Sequence, residues 1–128
     1  MFITVKVVNM SLRKTFILAS NSASRYRLLK SAGLSFNKTP PLCNEEKIKK
    51  KLLDKKLNKK NIPMYLAKEK ALSISAKKPN KLVVGSDTVI IFKQEIISKA
   101  KNLKEAKTKL KQLSGKKHQI ISCVSVCY

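Results

Sequence analysis

The sequence predicts an α/β fold, a mixed sheet flanked by helices, on three observations. Short apolar runs of strand length, around Phe16–Ala19, Leu82–Gly85 and Gln119–Val126, alternate with stretches whose apolar residues recur at helical spacing. Turn formers fall between them, at Ser20-Asn21-Ser22, Gly33, Pro40-Pro41, Pro79-Asn80 and Ser114-Gly115. No internal repeat interrupts the alternation.

Residues 1–14 read as a leader or alternative start region, because Met10 offers a second start, and one folded domain is expected over 15–128. Phe16–Ala19 is a buried strand feeding a turn. Ser22 then caps a helix that carries Arg25, Leu28, Leu29 and Ala32 on an inward stripe until Gly33 stops it. Leu34 to Lys38 forms a short second strand. Beyond the double proline, Ile48, Leu52, Leu53 and Leu57 mark an exposed amphipathic helix. Asn61 and Pro63 open the next helix, with Leu66, Ala67, Ala71 and Ile74 on one side. A strand from Leu82 leads into a loop at Ser86-Asp87-Thr88, and Val89–Phe92 with Glu95–Ile97 makes a hairpin. Asn102 and Glu105 are a capping pair for a helix striped by Leu103, Ala106, Leu110 and Leu113.

A hydrophobic content of 43% in 128 residues suffices for one modest core. No apolar run reaches the roughly 20 residues of a membrane span, and Lys6 interrupts the N-terminal one. Cys43, Cys123 and Cys127 are odd in number and lack metal-ligand spacing, so they are expected to pack as small apolar groups in a reducing cytoplasm. The formal charge of +22 favours anionic ligands. Only Arg13, Arg25 and Arg27 among the basic residues are arginine, however, and lysine-rich helix faces are commonly mere solvated surface.

Three places carry chemistry. At Ser20 to Arg25 a strand opens a helix, so unpaired N–H groups and the helix dipole favour phosphate, with Arg25 turned inward. Ser22 as a simple cap and Arg25 as an ion-pair partner are the plainer account. Lys70 shares a helix face with Leu66 and Ile74, either snorkelling along apolar neighbours or serving as an inward cation. Asp87 follows a buried strand beside Gly85, a glycine that would let a ligand approach the backbone. It suits a divalent cation, a polarised water or a turn cap equally. Glu45 and Glu46 add acids in a chain with seven.

In order, Leu18-Ala19-Ser20-Asn21-Ser22-Ala23-Ser24-Arg25 through Leu28-Leu29, Asn44-Glu45, Leu66 to Ala71, Gly85-Ser86-Asp87-Thr88, Lys99 and Leu113-Ser114-Gly115-Lys116-Lys117-His118 form a pattern. It resembles that of the Maf family of nucleoside triphosphate pyrophosphatases. The resemblance implies an inosine-triphosphatase-like fold and hydrolysis of a nucleoside triphosphate to the monophosphate and pyrophosphate. It also implies a divalent cation, magnesium or manganese. Ser20, Arg25, Lys70 and Lys99 would hold phosphates, Glu45 and Asp87 would meet the metal, and Asp87 with Lys70 would serve catalysis. The GSDT and LSGxxH forms lean toward the dTTP and UTP subgroup.

Ser24 stands where the family often carries a first arginine, and Ser98-Lys99-Ala100 replaces its usual glycine-lysine-proline. Family members continue further, so C-terminal truncation, with an incomplete sheet and an open edge strand, is also expected. A homodimer is among the assemblies the resemblance allows. His118 is read as structural. The competing reading is a non-catalytic polyanion-binding or RNA-binding protein driven by the lysine excess.

Overall fold

A computed structural model describes residues 15–128, and the expected leader at 1–14 lies outside the described residues. Strand β1 (Phe16–Ala19) is followed by helix α1 (Ala23–Ser31), strand β2 (Phe36–Thr39) and helix α2 (Glu45–Asp54). A 3-10 turn at Lys59–Asn61 leads into helix α3 (Ile62–Ser75). Strands β3 (Val83–Phe92) and β4 (Glu95–Ile97), helix α4 (Leu103–Leu113) and strand β5 (Gln119–Cys127) complete the described residues. The sheet is mixed, as expected. β1 pairs in parallel with β2 and with β3, whereas β4 and β5 run antiparallel to β3.

The caps follow the sequence. The Ser22 side chain accepts from Arg25 N, Asn44 from Lys47 N and Asn102 from Glu105 N. Each satisfies one of the donors a helix start leaves unpaired. Gly33 and Gly115 end α1 and α4 at φ +79° and +69°, in the left-handed region that glycine enters without steric cost.

The core lies where α3 packs on the sheet. Ile62, Leu66, Ala67, Ala71 and Ile74 are buried from the helix side, and Leu18, Ala19, Val83 and Val89 from the strands. The three thiols are free and half-buried, and Cys127 packs against this core, as small apolar groups do. No helix among the described residues is long and apolar enough to cross a membrane.

Three expectations need correction. The segment Ser86-Asp87-Thr88 is not a loop, because β5 pairs with β3 along Val83 to Ile91 and holds it extended throughout. Gly85 admits no ligand. A Cβ there would collide with the Ala67 carbonyl and come within 2.7 Å of Ala71 N, so the glycine lets α3 itself approach the strand. The α1 stripe is not an inward one: the helix has no buried residue and Leu28 is 70% exposed, because none of the described elements covers it. The α4 stripe is likewise open, with Leu103 73% exposed.

β5 has β3 as its one strand partner among the described residues. Its residues alternate, with Ile121, Cys123 and Cys127 half-buried on the α3 side and Ile120, Val124 and Val126 exposed on the other.

If the α3 contact fixes the sheet, Gly85→Ala should cost about 1–3 kcal/mol, the range for an overpacked core. Urea unfolding measures it, and a cost below half a kilocalorie, as for an ordinary surface change, would contradict the tight approach.

Candidate active site

Along one edge of β3, β1 pairs only with Val83 to Gly85 and β4 only with Ile90 to Phe92. Between them the edge at residues 86–89 has no strand neighbour among the described residues. β1 ends there, so Ser20 lies just past the Ala19–Gly85 pair, about one strand spacing of roughly 5 Å from Ser86. The carboxyl end of β1 and an opened sheet edge meet at this point, where α/β folds place ligands.

Lys70 reaches into the opening from α3. Its side chain is only 7% exposed, and its Nζ lies 2.9 Å from Asp87 Oδ1, 3.1 Å from Glu45 Oε2 and 3.4 Å from the Ser86 carbonyl. The ammonium therefore bridges two carboxylates and caps an exposed-edge carbonyl at once. A buried charge is tolerated only with such partners. Asp87 is held close to the protein at 13% side-chain exposure, while Glu45 stands more open at 42%.

Glu45 arrives by a separate route. Leu42 N donates to Ser73 Oγ, which in turn donates to the Lys70 carbonyl, tying the segment after the double proline to α3. Asn44 then caps α2, which places Glu45 in the first turn, where the helix dipole favours a carboxylate.

The second half of the site is the turn after β1. Ser20 is buried, and its Oγ accepts from Ser22 N at 3.1 Å and from Arg25 Nη1 at 3.0 Å. Ser20 thus orients Arg25 toward the end of β1, which accounts for the inward arginine without a buried stripe. The Ala23 and Ser24 N–H groups stand at the start of α1 with no partner among the described residues, a local geometry that receives anions. Lys38, on the neighbouring β2, donates to the Asn21 carbonyl at 3.2 Å. Sequence reasoning missed it. The signal was available only through pairing, since Lys38 sits opposite Leu18 in the parallel ladder.

Lys99 is not brought into this group. It lies in the exposed segment after β4, and no contact among the described residues joins it to Glu45, Lys70 or Asp87. Lys109 pins its main chain instead, donating to the carbonyls of Ser98 and Lys99 and pairing with Glu105 at 2.9 Å. The hydrogen bond from Lys109 holds the Glu105 carboxyl below the usual range. His118 is exposed, with Nδ1 3.3 Å from the Lys116 carbonyl, and no contact joins it to Glu45, Lys70 or Asp87 among the described residues.

Two thiols border the acids. Burial, and then the Glu45 charge, push the Cys43 thiol up; burial, and then Asp87, do the same for Cys123, which faces Asp87 across the β3–β5 ladder. Both therefore stay protonated at neutral pH and are poor nucleophiles. Alkylation by iodoacetamide at pH 8 should be slower at Cys43 and Cys123 than in a free cysteine peptide, as peptide mass spectrometry would show. Equal or faster rates would contradict the burial. Lys70→Met should destabilise the fold by roughly 3 kcal/mol in urea unfolding, because it strands two carboxylates beside each other. A neutral outcome would mean the bridge is not formed in solution.

Comparison with known proteins identifies the family. The Maf family, described as Maf-like protein, matches residues 15–128. A nucleoside triphosphate pyrophosphatase of Legionella pneumophila (strain Lens) is 40% identical over 114 residues, which cover 89% of this chain and 56% of the relative. One of the same name from Ruegeria pomeroyi is 38% identical over 86% of this chain and 55% of its own. A dTTP/UTP pyrophosphatase of Cytophaga hutchinsonii is 33% identical over 88% of this chain and 49% of its own. The chain spans about half the length of the curated relatives it matches. With a match that runs from the start of β1 through β5, the chain belongs to the Maf family.

Proposed function

We propose that this protein is a nucleoside triphosphate pyrophosphohydrolase. Water attacks the α-phosphorus, the bond from that phosphorus to the α–β bridging oxygen breaks, and pyrophosphate leaves with the electron pair. The observation that carries the reading is the Lys70 ammonium bridging Asp87 and Glu45, one strand from the Ser20–Arg25 turn. That pairing sets an acid for water beside a cradle for phosphate. The names of the relatives, nucleoside triphosphate pyrophosphatase and dTTP/UTP pyrophosphatase, support the same chemistry.

Arg25 and the free amides at the start of α1 hold phosphate oxygens, with Ser20 fixing the guanidinium. Asp87 orients the water and takes its proton, since one Oδ is bound by Lys70 and the second remains to accept. Lys70 keeps the two acids together and offsets their charge. Lys99 plays no part in this arrangement unless its exposed segment moves toward the substrate.

The donor set fits a divalent cation of the magnesium or manganese kind. Among the described residues no group of three or more His, Cys, Asp or Glu could form a closed cage. Two carboxylates at one opening, the rest of the shell coming from phosphates and water, is the pattern such ions accept. Glu45 and Asp87 would hold it, and it would neutralise charge on the phosphate chain. The Cytophaga relative's name and the Gly85-Ser86-Asp87-Thr88 form support dTTP and UTP as the substrates we propose, and the free thiols suit the reducing cytoplasm we propose as its setting.

Incubation with a nucleotide panel and magnesium or manganese should release pyrophosphate. Asp87→Asn, close to isosteric, should lower kcat about a hundredfold or more, the scale of a lost general base. Release by the variant at the parent rate would remove Asp87 from the mechanism, and silence of the parent with every nucleotide would remove the activity.

A further inference from the structure

A second cavity lies away from these residues. It has a volume of about 790 Å³ and shares none of its lining with the Ser20, Arg25, Glu45, Lys70 and Asp87 site. That volume is within the range of small-molecule pockets. Ile91 lines it from β3, four residues beyond Asp87 on the same face of the strand, or roughly 13 Å along it.

Its charge is one-sided. Lys59 and Lys60 come from the turn before α3, Lys93 from the β3–β4 turn and Lys117 from the approach to β5, with His118 beside it. Segments far apart in sequence thus bring four ammonium groups to one concavity. The single acid in the lining, Glu95, is already paired with Lys59 at 2.7 Å. Lys60, Lys93 and Lys117 have no carboxylate partner among the described residues.

The β3–β4 turn adds an observation of another kind. Both central residues are left-handed, Lys93 at φ 49° and Gln94 at φ 63°, where glycine or asparagine would be the unstrained choice. Strain kept in a tight turn calls for a reason. Here it places one cationic and one amide side chain at the rim of the cavity, where glycine would offer neither. Asn58 and Gln119 contribute further amides. No Phe, Tyr or Trp side chain lines the cavity, Ile91 is its one large apolar wall and His118 its one ring, so charge and amide donors outnumber stacking surfaces.

We propose that this cavity binds a phosphate chain, recognised by charge and amide donors and independently of any base. Inorganic oligophosphate and the triphosphate of a nucleotide share that chemistry. Both are multiply charged at neutral pH, and the lining offers them Lys60, Lys93 and Lys117, which have no carboxylate partner among the described residues, the Lys93 ammonium lying 5.4 Å over the Phe92 ring.

Calorimetric titration with inorganic tripolyphosphate, UTP and UMP, without added metal, separates the sources. The parent should bind tripolyphosphate and UTP, and UMP at least tenfold more weakly. The variant Lys60→Met, Lys93→Met, Lys117→Met changes exposed side chains only, and an unchanged thermal midpoint would show that it folds. It should lose at least tenfold in tripolyphosphate affinity, whereas Arg25→Met should retain this binding. Tighter binding of tripolyphosphate than of UTP assigns the site to the free anion, and equal affinities assign it to any triphosphate tail. A control variant, Lys104→Met, Lys107→Met, Lys111→Met, removes the same charge from exposed positions on α4. The proposal is overturned if the control weakens binding as much as the cavity variant, if Arg25→Met abolishes it, or if an oligouridylate binds more tightly than tripolyphosphate.

Discussion

One buried cation organises this molecule. Lys70 lies almost wholly out of solvent, and its position is tolerable only because Asp87 and Glu45 both reach it. Asp87 comes from β3 and Glu45 from the start of α2, so three elements are joined at one nitrogen. The contact has a geometric precondition. α3 must lie close enough to β3 for a lysine side chain to bridge them, and Gly85 supplies that closeness because it has no Cβ to meet the Ala67 carbonyl. Packing at Gly85 and ion pairing at Lys70 are therefore one device seen at two positions along the same strand.

The sheet provides the opening that the device serves. β1 stops at Ala19 and β4 begins its pairing only at Ile90, which leaves the edge of β3 at residues 86–89 without a strand neighbour among the described residues. Into that gap the turn at Ser20 delivers Arg25, held by the serine oxygen. A positive, donor-rich turn on one side and a pair of acids on the other suit a substrate that is itself a chain of negative charge, attacked by water. The excess of lysine elsewhere surrounds both with a field that attracts anions.

Much of this was legible in the sequence, for identifiable reasons. Strong local signals, such as the caps at Ser22, Asn44 and Asn102 and the glycine stops at Gly33 and Gly115, depend on neighbours in sequence and were realised. The inward Lys70 was visible because Leu66 and Ile74 define its helix face. What failed depended on partners distant in sequence. Asp87 lies within a strand because β5 pairs across it, and a serine, acid and threonine in a row look like a loop until that pairing is known. The apolar spacing of Leu28, Leu29 and Ala32 suggested an inward stripe on α1, but spacing cannot tell whether another element covers it. Lys38 and the lysines of the second cavity were indistinguishable from solvated filler until the fold brought them together. The pattern also gave Lys99 a place that contacts in the fold do not support.

The central claim is that the Arg25 turn and the Lys70 bridge form one site for one ligand. Nitrogen-15 NMR of the Arg25 guanidinium and the Lys70 ammonium, during titration with a nonhydrolysable α,β-methylene analogue of UTP and magnesium, tests it most directly. Both signals should shift together along a single binding curve with a common Kd. Movement of one signal while the other stays fixed, at analogue concentrations that saturate the first, would contradict it.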